Sequence, residues 1–92
     1  MQKISLDTVC KHVYDRNFDA ILDAENRECP FIPYSFREFT MDARSDDFIS
    51  SSATIRAKWD GLLASGVIEQ NARKTVLNLG KLGEMCNRRA VA

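Results

Sequence analysis

The sequence predicts an α+β domain that is mainly α-helical. Two observations carry that expectation. Apolar residues recur at helical spacing over Leu6–Leu22 and again over Ile55–Leu63. Two short β-prone runs, Val67-Ile68-Glu69 and Thr75-Val76-Leu77-Asn78, flank a polar stretch from Gln70 to Lys74, as in a hairpin. The size agrees with one domain spanning 1–92, since 92 residues with 45% hydrophobic and 28% charged side chains are ordinary for a small globular unit. A TIM barrel or a doubly wound sheet does not fit in this length.

The first element is a helical segment over 5–25. Ser5 is its expected N-cap and Asp7 suits the positive end of the helix dipole. Leu6, Val9, Val13, Phe18, Ile21 and Leu22 form its apolar stripe, in one helix or in two broken at Asn17. Asp15, Asp19 and Asp23 recur every four residues along one side, as a solvated face or a strip for a protein partner. Residues 26–34 are expected to be a connector, because Pro30 and Pro33 donate no backbone hydrogen bond. Phe31, Ile32 and Tyr34 would tuck it onto the core.

Ser35 and Glu38 have capping-box spacing and open a second helix, with Phe36, Phe39 and either Met41 or Ala43 facing inward. Arg44-Ser45-Asp46-Asp47 is a polar turn. The most regular helix is expected over 53–65, with Ile55, Trp59, Leu62 and Leu63 on one face and Gly66 as its stop. The hairpin follows, then an imperfect C-terminal helix or tail over 79–92, weakened by Gly80 and Gly83. Arg88 and Arg89 are expected to fray at its end.

Composition narrows the function. No apolar run approaches the roughly 20 residues that span a bilayer, and the N-terminus lacks the apolar centre of a signal peptide. A cytoplasmic protein without a membrane segment is therefore expected. Cys10, Cys29 and Cys86 are far apart and odd in number, which favours free thiols over a disulfide framework. With His12 they allow only a Cys3His zinc set, without the close cysteine pairs that usually build one, so neither metal nor cofactor is expected. Catalysis is not expected either. One histidine makes no triad, Gly80-Lys81 lacks the rest of a phosphate loop, and Asp46-Asp47 is a solvated turn. Zero net charge conceals a split, with residues 1–51 at −4 and residues 52–92 at +4.

The order helix, turn, helix, strand, basic turn, strand over 35–78 resembles the winged helix-turn-helix superfamily. The sharpest match is Ser50-Ser51-Ser52-Ala53-Thr54-Ile55-Arg56 through Leu62, Gly66 and Ile68. The resemblance implies a winged-helix core with an N-terminal helical extension, a short two-stranded wing and a C-terminal helix. It implies a small regulatory protein that reads duplex DNA with helix 53–65 and a basic wing. Ala53 and Arg56 would face the bases, with Arg56 pairing to a guanine edge. Ser51, Ser52, Thr54 and Lys58 would meet phosphates, and Arg73 and Lys74 would reach from the wing. The same serines and threonine also suit helix capping, and Arg56 with Asp60 also suits a surface ion pair. A lone module this small makes few phosphate contacts, so a homodimer or a protein partner would bind through the N-terminal helix. The alternative on the same fold is an inhibitor or assembly factor that binds no DNA and uses Asp15, Asp19 and Asp23 on a larger complex.

Overall fold

Side-chain chemistry at the helix ends sets the segmentation of the chain. In the computed structural model, which describes residues 4–91 and the side chains of residues 4–86, the Ser5 hydroxyl accepts from the Thr8 amide at 3.2 Å and opens α1 (Leu6–Arg16). Asn17 ends it in a non-helical conformation (φ −117°, ψ 20°), and α2 (Phe18–Asn26) starts at once. The Asn17 amide side chain donates back to the Val13 carbonyl at 2.8 Å, so this residue fastens the break it creates.

The expected connector contains a strand, β1 (Phe31–Pro33). This corrects the reading of 26–34 as irregular. A proline is tolerated on an edge strand and at its ends, where no ladder donor is required. Chain order then gives α3 (Phe36–Arg44), a 3₁₀ turn at Ser45–Asp47, α4 (Ser52–Ser65), β2 (Ile68–Asn71), β3 (Lys74–Asn78) and α5 (Leu79–Val91). The Ser35–Glu38 capping box opens α3 with both reciprocal bonds formed. The helix α5 continues past both of its glycines. The side chains of Arg88 and Arg89 lie outside the described residues.

The expected two-stranded wing is one side of a three-stranded antiparallel sheet, ordered β1-β3-β2. Ile68 pairs with Leu77 and Asn71 with Lys74, which leaves Ala72 and Arg73 as a two-residue hairpin loop. That loop is tighter than the expected turn over 70–74. Ala72 sits at φ 57°, a conformation that costs a residue with a Cβ. On the other edge Ile32 pairs with Leu77. The Thr75 hydroxyl extends this seam by donating to the Tyr34 carbonyl at 2.6 Å.

The core gathers one face from nearly every element. Val9, Val13, Ile21, Phe39, Ile55, Leu62, Leu77 and Leu82 are among its buried side chains. The helix α1 lies against α3, α4 and α5, so the N-terminal segment is part of the core and not an appendage. Ala43 is buried and Met41 is exposed, which resolves the inward choice on α3. Leu63 is only partly buried. Phe18 and Leu22 were expected to continue the inward stripe, but the break at Asn17 starts a new helix whose buried residues are Ile21 and Ala24.

Candidate functional site

The strongest candidate surface is the outer face of α4, and its geometry starts from the buried face. Ile55, Trp59 and Leu62 recur at helical spacing and are buried, so the opposite side is held toward solvent. The Trp59 ring is enclosed by aromatic neighbours, with centroids 5.4 Å from Phe36, 5.6 Å from Phe39 and 6.5 Å from Tyr34. Such rings at tilted and edge-on angles pack with favourable quadrupole contacts and resist rotation of the helix. Gly61 lets α1 come close: a Cβ there would stand 3.3 Å from Leu6 Cδ1. Gly66 closes the helix at φ 85°, where glycine carries no Cβ penalty.

The start of α4 is organised by side chains. Ser51 is the N-cap, with its hydroxyl accepting from the Thr54 amide at 3.3 Å. Arg44, at the end of α3, donates from Nη1 to the Ser50 carbonyl at 2.9 Å and from Nη2 to the Ser52 hydroxyl at 2.8 Å. This guanidinium spans the turn between the two helices and adds positive charge beside the amino end of α4. It was not among the residues singled out from sequence, because its partners lie six and eight positions away.

On the solvent side Ser52, Ala53, Arg56 and Ala57 are exposed, and Thr54 and Lys58 are half-buried. Arg56 keeps 64% of its side chain exposed. Its guanidinium lies over the Phe36 ring at 5.2 Å from the centroid, and its Nε is 3.7 Å from Asp60. The expected ion pair is therefore present but long, and the ring below holds the cation near the surface. Arg73 is exposed in the hairpin loop, and Lys74 is exposed at the first position of β3.

The acidic candidates are divided by the helix break. Asp15 belongs to α1, whereas Asp19 and Asp23 belong to α2. The three therefore do not form one strip on a continuous helix, as the four-residue spacing implied. Asp23 is paired with Arg27 one turn later. Asp15 and Asp19 have no ion pair among the described residues.

His12 is a structural residue. Its Nε2 is 2.7 Å from the Asp42 carbonyl, which only accepts, so this nitrogen donates. Its ring stacks on Phe48 at 4.0 Å. Cys10 is buried, Cys86 is half-buried and Cys29 is exposed; all three are free. Burial, assisted by Cys86 and Asp7, pushes the Cys10 thiol up to about 12. Burial likewise raises the Cys86 thiol. Such thiols are poor nucleophiles near neutral pH. Among the described residues, no three His, Cys, Asp or Glu side chains are grouped as a metal site would need. No described helix is long and apolar enough to cross a membrane.

No protein-family model, curated protein or solved structure matches this chain. The functional reading therefore rests on its own residues and their arrangement.

Proposed function

We propose that the chain is a small DNA-binding regulatory protein of winged helix-turn-helix type, with α4 as its reading helix and the β2–β3 hairpin as its wing. The observation that carries this is the division of α4. Ile55, Trp59 and Leu62 lock one side into the core, while Ala53, Arg56 and Ala57 stand exposed on the other. Small residues beside a cation let a helix lie close to base edges in the major groove. Three further features support the reading. The α3–turn–α4 unit is followed directly by the hairpin, β1 closes the far edge of β3, and Arg73 and Lys74 are exposed at the hairpin. Ser52 and Arg44 would meet the phosphate backbone at the amino end of α4.

The test is a polarisation titration of a labelled random-sequence duplex at low and moderate salt. Salt-sensitive binding that disappears in Arg56→Ala/Lys58→Ala, with amide dispersion retained, is the expected result. Equal binding by the variant defeats the assignment.

The second reading is a winged-helix interaction module that binds a larger complex through its acidic N-terminal helices and leaves DNA alone. Asp15 and Asp19, exposed and in no ion pair among the described residues, favour it. Its signature is a partner that co-purifies with the wild type and is lost on substitution of Asp15, Asp19 and Asp23.

A further inference from the structure

Two guanidinium groups stand at the α3–α4 surface, and they are engaged differently. Arg44 has both Nη atoms committed, one to the Ser50 carbonyl at 2.9 Å and one to the Ser52 hydroxyl at 2.8 Å. Arg56 makes its contacts through other parts of the group. Its Nε is 3.7 Å from Asp60, and its guanidinium carbon lies over the Phe36 ring, 5.2 Å from the centroid. No hydrogen bond from either Arg56 Nη is present among the described residues.

The ring that meets Arg56 is itself fixed. Phe36 is the first residue of α3, and both reciprocal bonds of the Ser35–Glu38 capping box hold that end of the helix. The Phe36 ring packs edge-on against the buried Trp59, with centroids 5.4 Å apart and planes at 75°. Phe36 is half-buried, so it contacts the core and still offers its ring to the cation. The Asp60 contact is long and exposed, and pairs of that kind orient a side chain weakly. A free arginine samples many rotamers, and ordering it at an interface costs free energy. The Phe36 ring lowers that cost and leaves open the Nη edge, which can pair with O6 and N7 of guanine.

We infer that Phe36 is a positioning residue for Arg56: the ring on α3 presents the free edge of the α4 guanidinium to a base edge and sharpens the preference for guanine at one position. This rests on the DNA reading of α4 and adds to it a residue that acts through another. One exposed cation–π contact sets the size of the effect, about two- to fivefold in affinity.

The test uses the full chain as wild type, Phe36→Leu, Phe36→Tyr, Arg56→Ala and the Phe36→Leu/Arg56→Ala double variant. In the free protein, the Arg56 side-chain resonances should carry a ring-current shift that Phe36→Leu removes and Phe36→Tyr keeps. Against a duplex selected by the wild type from a random pool, Phe36→Leu should lose about two- to fivefold in affinity. The loss should fall on the base pair at which Arg56→Ala relaxes preference. Phe36→Tyr should bind as the wild type does, and Phe36→Leu should cost nothing further in the Arg56→Ala background. An equal loss in that background means that Phe36 only supports the packing of α4, and overturns the inference. Wild-type affinity in Phe36→Leu overturns it too. The wild-type resonances alone can also overturn it, since unshifted Arg56 signals in a folded chain mean that the ring does not hold the cation. These three results leave DNA binding by α4 standing. Failure of the wild type to bind any duplex removes the DNA reading itself, and this role with it.

Discussion

The Tyr34 hydroxyl, just beyond β1, donates to the Asp42 carboxylate on α3 at 2.5 Å. The same Oδ2 accepts from Asn17 at 2.9 Å, while the Asp42 carbonyl accepts from His12 and Ser45. One residue thus joins the α1–α2 break, the end of β1 and the turn after α3. That turn leads into α4, so the network helps to fix the orientation of the proposed reading helix. Removing the carboxylate strands a buried phenol, whereas removing the phenol leaves the carboxylate with Asn17 and solvent. Asp42→Ala should therefore destabilise by about 2–3 kcal/mol and Tyr34→Phe by about 1–2 kcal/mol. In urea unfolding, the double variant should cost less than the two singles together. Strict additivity would show that the bond contributes nothing to stability.

Alkaline pH should weaken the fold through two buried groups. Tyr34 is raised above the ordinary 10.0, first by burial and then by its bond to Asp42. Cys10 is raised from 9.0 to about 12, first by burial. In both cases the folded protein holds a proton that the unfolded chain releases at lower pH. Stability is therefore fully present below pH 9 and falls as pH rises, Cys10 contributing up to about pH 12 and Tyr34 from about pH 10 upward. Each proton contributes a slope of about 1.4 kcal/mol per pH unit within its window. Cys10→Ala should flatten the decline between pH 9 and pH 10, below the Tyr34 window, leaving the part that the raised Cys86 thiol contributes. Denaturant midpoints measured across this range check it, and an unchanged slope would refute the assignment to Cys10.

Ala72 offers a gain in stability. Its φ of 57° in the two-residue hairpin loop lies where a Cβ is unfavourable. Ala72→Gly should stabilise the protein by about 0.5–1 kcal/mol, part of the relief being offset by the greater freedom of glycine in the unfolded chain. Thermal unfolding reads the change. The substitution leaves Arg73 and Lys74 in place, so it also separates hairpin rigidity from hairpin charge in any DNA titration.

The helix starts and the α4 face were legible because their causes are local. Ser5, Ser35 and Ser51 each bond an amide three residues on, so the cap and its partner sit in one short window. Ile55, Trp59 and Leu62 announce the buried face of α4 by spacing alone. The strand β1 was hidden because its pairing partner, Val76–Asn78, lies over forty residues later. The run Phe31-Ile32-Pro33-Tyr34, apolar with proline at the flank, was its only local signal. The Asp42 network was hidden for the same reason, since Asn17 and His12 are 25 and 30 residues away. Exposure of Phe18 and Leu22 follows from a three-dimensional event, the restart of the helix at Asn17, which periodicity read as one stripe does not capture.

The proposed role of Arg56 is testable because its structural contribution is small. Its ion pair with Asp60 is exposed and 3.7 Å long, and its contact with Phe36 is a surface cation–π contact. Pairs of the first kind contribute about 0–1 kcal/mol, and the second about 0.5–1 kcal/mol. Arg56→Ala should therefore lower unfolding stability by no more than about 1–2 kcal/mol and leave the fold intact. If Arg56 contacts a base edge, its loss should cost about 1–3 kcal/mol of affinity for a duplex selected by the wild type and relax preference at one position. Lys58→Ala, by contrast, should weaken all duplexes alike and lower the log–log salt slope by about 1, as loss of one phosphate contact does. Paired titrations over a salt series distinguish the two residues. Identical, sequence-independent losses in both variants would reduce α4 to an electrostatic surface and remove Arg56 from the reading of bases.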